Sequence, residues 1–147
     1  MNVVCDSNII LDLILQRQPF FDEAEKCFFQ LHKNKDKVFI SASMVTDIYY
    51  IIQKELKDSV AAKHEIAKIL NGYINIISVD GDDCAAALNL PLADYEDALV
   101  AVCAKKTKCK WIITRNAAHF AHSPVKAVTP HDFLRNSSLG DYRNNVK

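Results

Sequence analysis

Short apolar runs alternate along this chain with longer segments whose apolar residues recur every three or four positions. The short runs, rich in Val and Ile, predict buried strands, and the recurring pattern predicts amphipathic helices. The predicted strands cover residues 2–5, 38–40, 73–79, 111–114 and 125–128. The predicted helices cover residues 9–15, 20–32, 44–56, 60–70, 84–88, a segment that opens at 94–97, and a last helix from about 130 to about 135. This alternation favours an α/β fold with a parallel sheet covered on both faces.

Polar side chains follow several of the predicted strands. Asp6 comes directly after the first strand, Asp47 lies early in the helix after the second, and Asn116 follows the fourth. Right-handed crossovers bring the carboxyl ends of parallel strands to one edge, where ligands bind near the point at which strand order reverses. The long connection after the third strand allows Asp94 and Asp97, which open the next helix, to return to that edge. We therefore expect these five residues to converge on one cleft.

Carboxylates crowded together repel one another, and a divalent cation is the usual compensation. Ligands that are all oxygen favour Mg²⁺ or Mn²⁺ over Zn²⁺. Such cations bind phosphate oxygens and activate water, so the pattern indicates metal-dependent hydrolysis of phosphodiester bonds. The sequence contains no glycine-rich phosphate loop, no GxSxG and no HExxH motif that would indicate another chemistry.

Each of these acids also has a purely structural interpretation. Asp6 and Asp94 are good N-caps for the helices that follow them, and Asp47 is an acid near a helix start. Asp47 is expected at the edge of the apolar face of its helix, partly desolvated. Ser7 and Thr114 are suited to orienting the carboxylates or contacting substrate, but capping and strand-end bonding would use them equally well.

Composition limits the partners. The 147 residues predict a single domain over 1–135, followed by a polar tail at 136–147 that we expect to fray. Lysine plus arginine and aspartate plus glutamate are equal at 18 each, so no general basic footprint for nucleic acid exists and substrate contact must be local. Arg17 and Arg115 are the predicted contacts, whereas the lysines of 105–110 are interpreted as a solvated helix end.

The five cysteines are odd in number and unevenly spaced, which is typical of reduced core thiols in a cytoplasmic protein. The sequence shows no signal peptide and no apolar segment of membrane-spanning length, so no membrane association is expected.

Four segments together resemble PIN-domain proteins, a class of ribonucleases that includes the toxins of VapBC-type toxin–antitoxin modules. They are VVCDSNII at 3–10, SMVTDI at 43–48, DYEDALVA at 94–101 and IITRN at 112–116. The resemblance implies a three-layer α/β/α sandwich around a parallel sheet of about five strands, with a Mg²⁺ or Mn²⁺ site.

Carried over by position, the resemblance makes Asp6 the first metal-binding acid and Asp97 the third. Asn116 lies where the family often has Asp or Asn, and Asp94 matches an additional acidic position of some members. The second acid is commonly Glu, and here it is Asp47, which is shorter by one methylene.

The leading hypothesis is a metal-dependent ribonuclease that acts on RNA. An antitoxin protein is an expected partner, and the toxin of a toxin–antitoxin module is the expected role. A homodimer is expected from the resemblance and from Phe20, Phe21 and Phe29, although all three could belong to the core. The alternative is a PIN-like RNA- or protein-binding module with a weak or inactive metal site. A phosphoacceptor domain that uses Asp6 or Asp47 ranks lower, because the adjacent acidic pair of that class is missing.

Overall fold

The computed structural model describes residues 1–144, with side chains described through Ser137. Its centre is one sheet of five strands that lie in the order β3-β2-β1-β4-β5. The strands are β1 Asn2–Cys5, β2 Lys37–Ser41, β3 Ile74–Ile77, β4 Trp111–Ile113 and β5 Ala127–Val128. All four neighbouring pairs are parallel. The predicted parallel sheet of about five strands is thereby confirmed.

Seven helices flank the sheet and complete the predicted α/β/α sandwich. They are α1 Ser7–Ile14, α2 Phe21–Lys33, α3 Ala42–Leu56, α4 Ser59–Asn71, α5 Gly81–Leu88, α6 Tyr95–Lys106 and α7 Pro130–Asn144, with a short 3-10 helix at Ala117–Phe120. None of the helices in residues 1–144 combines the length and apolar character needed to cross a bilayer.

The hydrophobic core is centred on the two middle strands. Val3, Val4 and Cys5 of β1 and Ile112 and Ile113 of β4 are all fully buried. A strand covered by helices on both faces has no polar side to show, which explains why these strands are continuous apolar runs. All five cysteines are free thiols, and burial is the main cause that raises the pKa of Cys5.

The order of the strands reverses between β1 and β4. The chain proceeds from β1 to β2 and β3 on one side, and then crosses back to place β4 on the other side of β1. The two crossovers therefore diverge at the carboxyl ends of β1 and β4, and the divergence leaves a crevice there. Asp6 follows β1 and Thr114 follows β4, so both residues lie at this crevice.

Several helix boundaries differ from those predicted, and the differences in α1 and α7 have a clear physical reason. α1 begins at Ser7, two residues earlier than expected, because Asp6 caps it. α7 starts as predicted, with the Thr129 hydroxyl accepting a hydrogen bond from the Asp132 amide at 3.1 Å, but it extends to Asn144 instead of ending near 135. A polar segment can still be helical, because the backbone hydrogen bonds of a helix form between residues of that same segment. Residues 145–147 of the predicted tail lie outside the described residues.

Candidate metal and catalytic site

Asp6 is held in one orientation at the end of β1. Its side chain is 9% exposed, and its carboxylate accepts hydrogen bonds from three donors. The Ser7 amide donates to Oδ1 at 2.8 Å, and the Thr114 hydroxyl donates to Oδ2 at 2.9 Å. The Asn8 amide group donates a longer bond of 3.4 Å to Oδ2. Asp6 is therefore both the cap of α1 and a fixed carboxylate at the crevice.

Thr114 links the ends of β1 and β4. Its side chain is completely buried, and its Oγ1 accepts a bond of 3.1 Å from the Asn116 amide while donating to Asp6. Asn8 reaches across the same gap, because its Oδ1 accepts a bond of 3.4 Å from the Arg115 amide. Asn116, a predicted catalytic residue, begins the short 3-10 helix and is exposed. These bonds place the ends of both strands in contact at the crevice.

Asp94 and Asp97 are two acids at the start of α6. Asp94 is the N-cap, and its Oδ1 accepts a bond of 2.9 Å from the Asp97 amide. The structural interpretation of Asp94 as a cap is thus confirmed. The Asp97 carboxylate instead lies 3.6 Å from His119 Nδ1. Ala93, Asp94, Asp97 and His119 line a cavity of about 320 Å³.

Asp47 of α3 lies next to Glu96 of α6. Asp47 is exposed on α3, which corrects the expectation that it is partly desolvated. Its carboxyl bonds with that of Glu96 in the first turn of α6. This bond, together with partial burial and repulsion from Asp47, Asp94 and Asp6, raises the pKa of Glu96 to about 7.

The carboxylates influence one another across the crevice. Burial is the largest cause that raises the pKa of Asp6; repulsion from Asp94 adds to the rise, and the Thr114 and Ser7 bonds oppose it. Burial also raises the pKa of Asp97; the charges of Asp6 and Asp94 add to the rise, and His119 opposes it. Asp6, Asp94, Glu96 and Asp97 thus form one interacting acidic cluster, to which Asp47 is joined through Glu96.

The chemistry of this cluster suits a hard divalent cation. Its donors are carboxylate oxygens, and part of the rise in the pKa values of Asp6, Glu96 and Asp97 comes from repulsion between carboxylates, which a cation would relieve. Within the part of the chain that the structure describes, no three His, Cys, Asp or Glu side chains are gathered around one point. Mg²⁺ usually keeps several waters and takes only one or two carboxylates. The arrangement therefore fits Mg²⁺ better than it fits a cation that is enclosed entirely by protein ligands.

Arg115 lies away from the carboxylate cluster, although it was predicted to contact substrate. Its Nε is 3.0 Å from Oδ2 of Asp12, which is completely buried, and its guanidinium lies 4.0 Å from the centre of the Phe20 ring. The Asp12–Arg115 contact is an ion pair without the alignment of a hydrogen bond. Burial raises the pKa of Asp12, and the charges of Arg115 and then Arg17 oppose the rise. The substrate contacts assigned to Arg17 and Arg115 stay predictions.

Sequence reasoning missed Glu96, Asn8 and Asp12. Glu96 lies between Asp94 and Asp97, but acids in the first turn of a helix are common because of the helix dipole. Asn8 follows Asp6 by two positions, so a search for hydrogen-bond donors around the first acid would have found it. Asp12 was hidden in an apolar helix, where a single carboxylate between leucines signals a buried partner.

Comparison with known proteins gives consistent matches. A model of the PIN domain matches residues 2–118. Ribonuclease VapC1 of Aquifex aeolicus is 27% identical over 136 residues, which cover 89% of this chain and 92% of the relative. Among solved structures, VapBC2 from Rickettsia felis, bound to a DNA fragment from its promoter, has a similar chain with a TM-score of 0.69 and 19% identity, covering 88% of this chain and 98% of that one. A toxin–antitoxin complex from Klebsiella pneumoniae matches with a TM-score of 0.63 and 23% identity, covering 87% of this chain and 97% of that one.

Proposed function

The chain belongs to the PIN domain family, and we propose that it is a metal-dependent ribonuclease that hydrolyses RNA phosphodiester bonds. The observation that carries the proposal is the acidic cluster at the carboxyl ends of β1 and β4. The pKa values of Asp6, Glu96 and Asp97 are raised, because burial and repulsion from neighbouring carboxylates disfavour their charged forms. Charge of this kind is useful to a protein that binds a cation and costly to one that does not.

Asp6 and Asp97 are the proposed principal metal ligands, with Asp94 and Asp47 in support. Asp6 is the best oriented of the four, since three donors fix its carboxylate. Asp97 combines partial exposure with a raised pKa and lines the cavity of about 320 Å³. Because the donors are carboxylates, we propose Mg²⁺ or Mn²⁺ as the cation.

Glu96 supplies a carboxyl group beside Asp47. The side chain of Asp47 is one methylene shorter than the Glu that is common at this position in the family. Glu96 approaches the same place from α6 and bonds with Asp47. We propose that the pair acts together, so that Glu96 provides the reach that Asp47 lacks.

The bound cation would neutralise charge on the scissile phosphate and activate water for attack on phosphorus. The protein's own residues hold and position the reacting groups. Thr114 and Ser7 keep the Asp6 carboxylate directed into the crevice. A carboxylate of the cluster that does not hold the cation would accept the proton that the attacking water loses. Asn116 offers an exposed side-chain amide at the crevice for a phosphate or sugar oxygen.

We also propose that the protein acts in the cytoplasm with an antitoxin partner. Five free thiols, four of them buried, fit a reducing compartment. The similar chains from Rickettsia felis and Klebsiella pneumoniae occur in toxin–antitoxin structures. A matching antitoxin gene beside the gene for this chain would support a toxin role, and a homodimer stays a further prediction.

The proposal is tested with Mn²⁺ and a mixed pool of unstructured RNA. We expect the wild type to gain thermal stability on addition of Mn²⁺ and to cleave the RNA. Asp6→Asn and Asp97→Asn should lose at least 100-fold in cleavage rate, since each removes a charge from the cation site. Asp22→Asn is the matched control, because Asp22 is an exposed acid at the start of α2.

The alternative is an RNA- or protein-binding module with a weak or inactive metal site. The spread of the acidic side chains, with Asp47 exposed, is the observation in its favour. RNA binding without cleavage, and no Mn²⁺ effect on thermal stability, would select this alternative. Equal cleavage by wild type and Asp97→Asn would show that the acidic cluster is not the catalytic site.

A further inference from the structure

A tryptophan and three lysines lie at the amino ends of the strands, whereas the acidic cluster lies at the carboxyl ends. Trp111 is the single Trp of the chain and begins β4. It pairs with Val3 of β1, and the preceding Lys110 amide donates a bond of 2.8 Å to the Asn2 carbonyl. On the other side, the Ile112 amide donates to the Lys126 carbonyl at 2.9 Å. The register therefore brings Lys126, which precedes β5, close to the indole, beside Lys110, which directly precedes Trp111 in the chain.

The ammonium groups of Lys110 and Lys126 both approach the Trp111 ring. Their Nζ atoms lie 5.8 Å and 5.4 Å from the ring centroid, within the range of a cation–π contact. Lys37 extends the row, since it begins β2 and pairs with Asn2. All three lysines are exposed, and no acidic group pairs with any of them in the described residues. Unneutralised positive charge is thus concentrated at this edge of a chain whose formal net charge is zero.

A cavity of about 180 Å³ lies beside the indole. Its lining combines apolar and polar side chains: Met1, Lys110, Trp111, Val128, Phe133, Asn136 and Ser137. The Ser137 hydroxyl is used within α7, where it donates to the Phe133 carbonyl at 3.0 Å. The Asn136 side chain is exposed, and its amide can donate and accept hydrogen bonds. Aromatic and apolar walls with a polar rim suit a flat heterocycle that needs edge hydrogen bonds.

We propose that this cavity and its lysines form a second RNA-binding subsite, which takes one unpaired base and the phosphates beside it. Lys110 and Lys126 would contact the phosphates, and the base would lie against Trp111. Single-stranded nucleic acid is bound in this way, by an aromatic surface for bases and positive charge for the backbone. A duplex is excluded, because its bases are stacked and cannot enter the cavity. The proposal rests on the proposed ribonuclease function, since it assigns the subsite to the same substrate.

The subsite is too far from the acidic cluster to take part in the chemistry. Four residue steps along β1 separate Asn2 from Asp6, which corresponds to about 13 Å. The subsite would therefore bind a segment that flanks the cleaved bond. Such a contact acts on the ground state and the transition state alike, so its loss should raise KM and leave kcat unchanged.

The single Trp gives a direct assay. Wild-type protein in EDTA is titrated with an unstructured single-stranded RNA, and Trp fluorescence is recorded at several salt concentrations. We expect the fluorescence to be quenched, and the logarithm of the binding constant to fall with the logarithm of salt by about 0.7 per phosphate contact. Because EDTA removes divalent cations, the signal does not depend on cleavage.

Lysine variants then locate the binding. Lys110→Gln combined with Lys126→Gln should reduce the salt dependence by about 1.4, as expected for the loss of two phosphate contacts. Lys54→Gln combined with Lys63→Gln is the matched control, since it removes the same charge from exposed sites on α3 and α4. In cleavage assays, the first double variant should show a KM raised about tenfold with unchanged kcat, and the control should behave as wild type.

Three results would overturn the proposal: no quenching at low salt, equal losses in both double variants, or equal quenching by duplex DNA and single-stranded RNA. These results are distinguishable from failure of the proposed function. If the ribonuclease proposal fails and the subsite is real, RNA still quenches Trp111 but is not cleaved. If the subsite proposal fails alone, RNA is cleaved with no Trp111 signal.

Discussion

The Thr114 hydroxyl is the contact that most directly controls the orientation of the Asp6 carboxylate. We therefore consider Thr114→Val, which removes the hydroxyl and nearly preserves the volume of a completely buried side chain. The change removes the bond of 2.9 Å to Asp6 Oδ2 and the acceptor for the Asn116 amide at 3.1 Å. Asp6 keeps the Ser7 amide and the longer Asn8 bond.

The expected loss of stability follows from these contacts. A hydrogen bond to a charged group contributes roughly 1.5–3 kcal/mol, and a neutral one about 1 kcal/mol. The Asn116 amide is close to solvent, because Asn116 itself is exposed, so water can replace part of its lost bond. We expect Thr114→Val to lower the free energy of unfolding by about 2–3 kcal/mol when Asp6 is ionised.

The loss should depend on pH. Burial raises the pKa of Asp6, and the Thr114 hydroxyl opposes that rise. A carboxyl whose pKa is higher in the folded state than in the unfolded state binds its proton more tightly when folded, so stability falls as pH rises between the two values. Without the hydroxyl the folded pKa is higher still, and this fall is larger. The difference between wild type and variant should therefore be smallest at acidic pH, at about 1 kcal/mol, and largest at pH 8.

Urea unfolding in EDTA at pH 4.5 and pH 8 measures both quantities, provided that the dependence on urea concentration is unchanged. Thr114→Ser is the control, because it keeps the hydroxyl and loses one buried methyl group, at a cost of about 1 kcal/mol that is independent of pH. A pH-independent loss in Thr114→Val, or a loss no larger at pH 8 than that of Thr114→Ser, would refute the assigned hydrogen bond.

Three further predictions concern the groups around this contact. Arg115→Met should destabilise the protein by roughly 3 kcal/mol, the low end for a broken buried pair because Arg115 is partly exposed, and adding Asp12→Leu should restore most of that loss in urea unfolding. Metal-free protein should lose thermal stability as pH rises from 4.5, the ordinary pKa of Glu, to about 7, since the raised pKa of Glu96 favours the protonated folded state; Glu96→Gln should flatten this dependence, and an unchanged slope would contradict it. Arg115→Met and Thr114→Val should be non-additive by about 0.5–3 kcal/mol in a double-mutant cycle, because both act on the end of β4, and strict additivity would show that the two contacts are independent.

Much of the fold could be predicted because the strands of this sheet are simple in sequence. β1 and β4 are short β-branched runs that end at polar residues, and the helices between them have clear caps, such as Asp58 before α4. The position of Asp6 at the crevice follows from these patterns, because the end of a parallel strand is where its polar residues collect. The length of α7 could not be predicted in the same way, since its second half has no apolar pattern that would distinguish a helix from a tail.

The contact between Asp47 and Glu96 could not be predicted, because it depends on how α3 and α6 pack. The two residues are far apart in sequence. Glu96 has an ordinary local explanation as an acid in the first turn of α6, and the sequence suggested the same for Asp47, although α3 begins at Ala42 and its first turn has no acid. Helical periodicity assigns a residue to a face of its own helix, but it does not say which side chains of another helix will lie opposite. Only the packed structure shows that the two carboxyls lie within hydrogen-bond distance of each other.

The different placement of Arg115 has a simpler cause. Consecutive residues at the end of a strand point to opposite sides, so Thr114 and Arg115 cannot face the same cleft. Thr114 points to Asp6, and Arg115 consequently points to Asp12.

Asn8 and Asp12 are four positions apart on α1 and therefore share a face of that helix. That face contacts the end of β4 twice, through the Asn8 bonds near the crevice and through the Asp12 ion pair one turn further along. α1 is thus fixed at two points against β4, and because Asp6 caps α1, the same two points also set the position of the first carboxylate of the site.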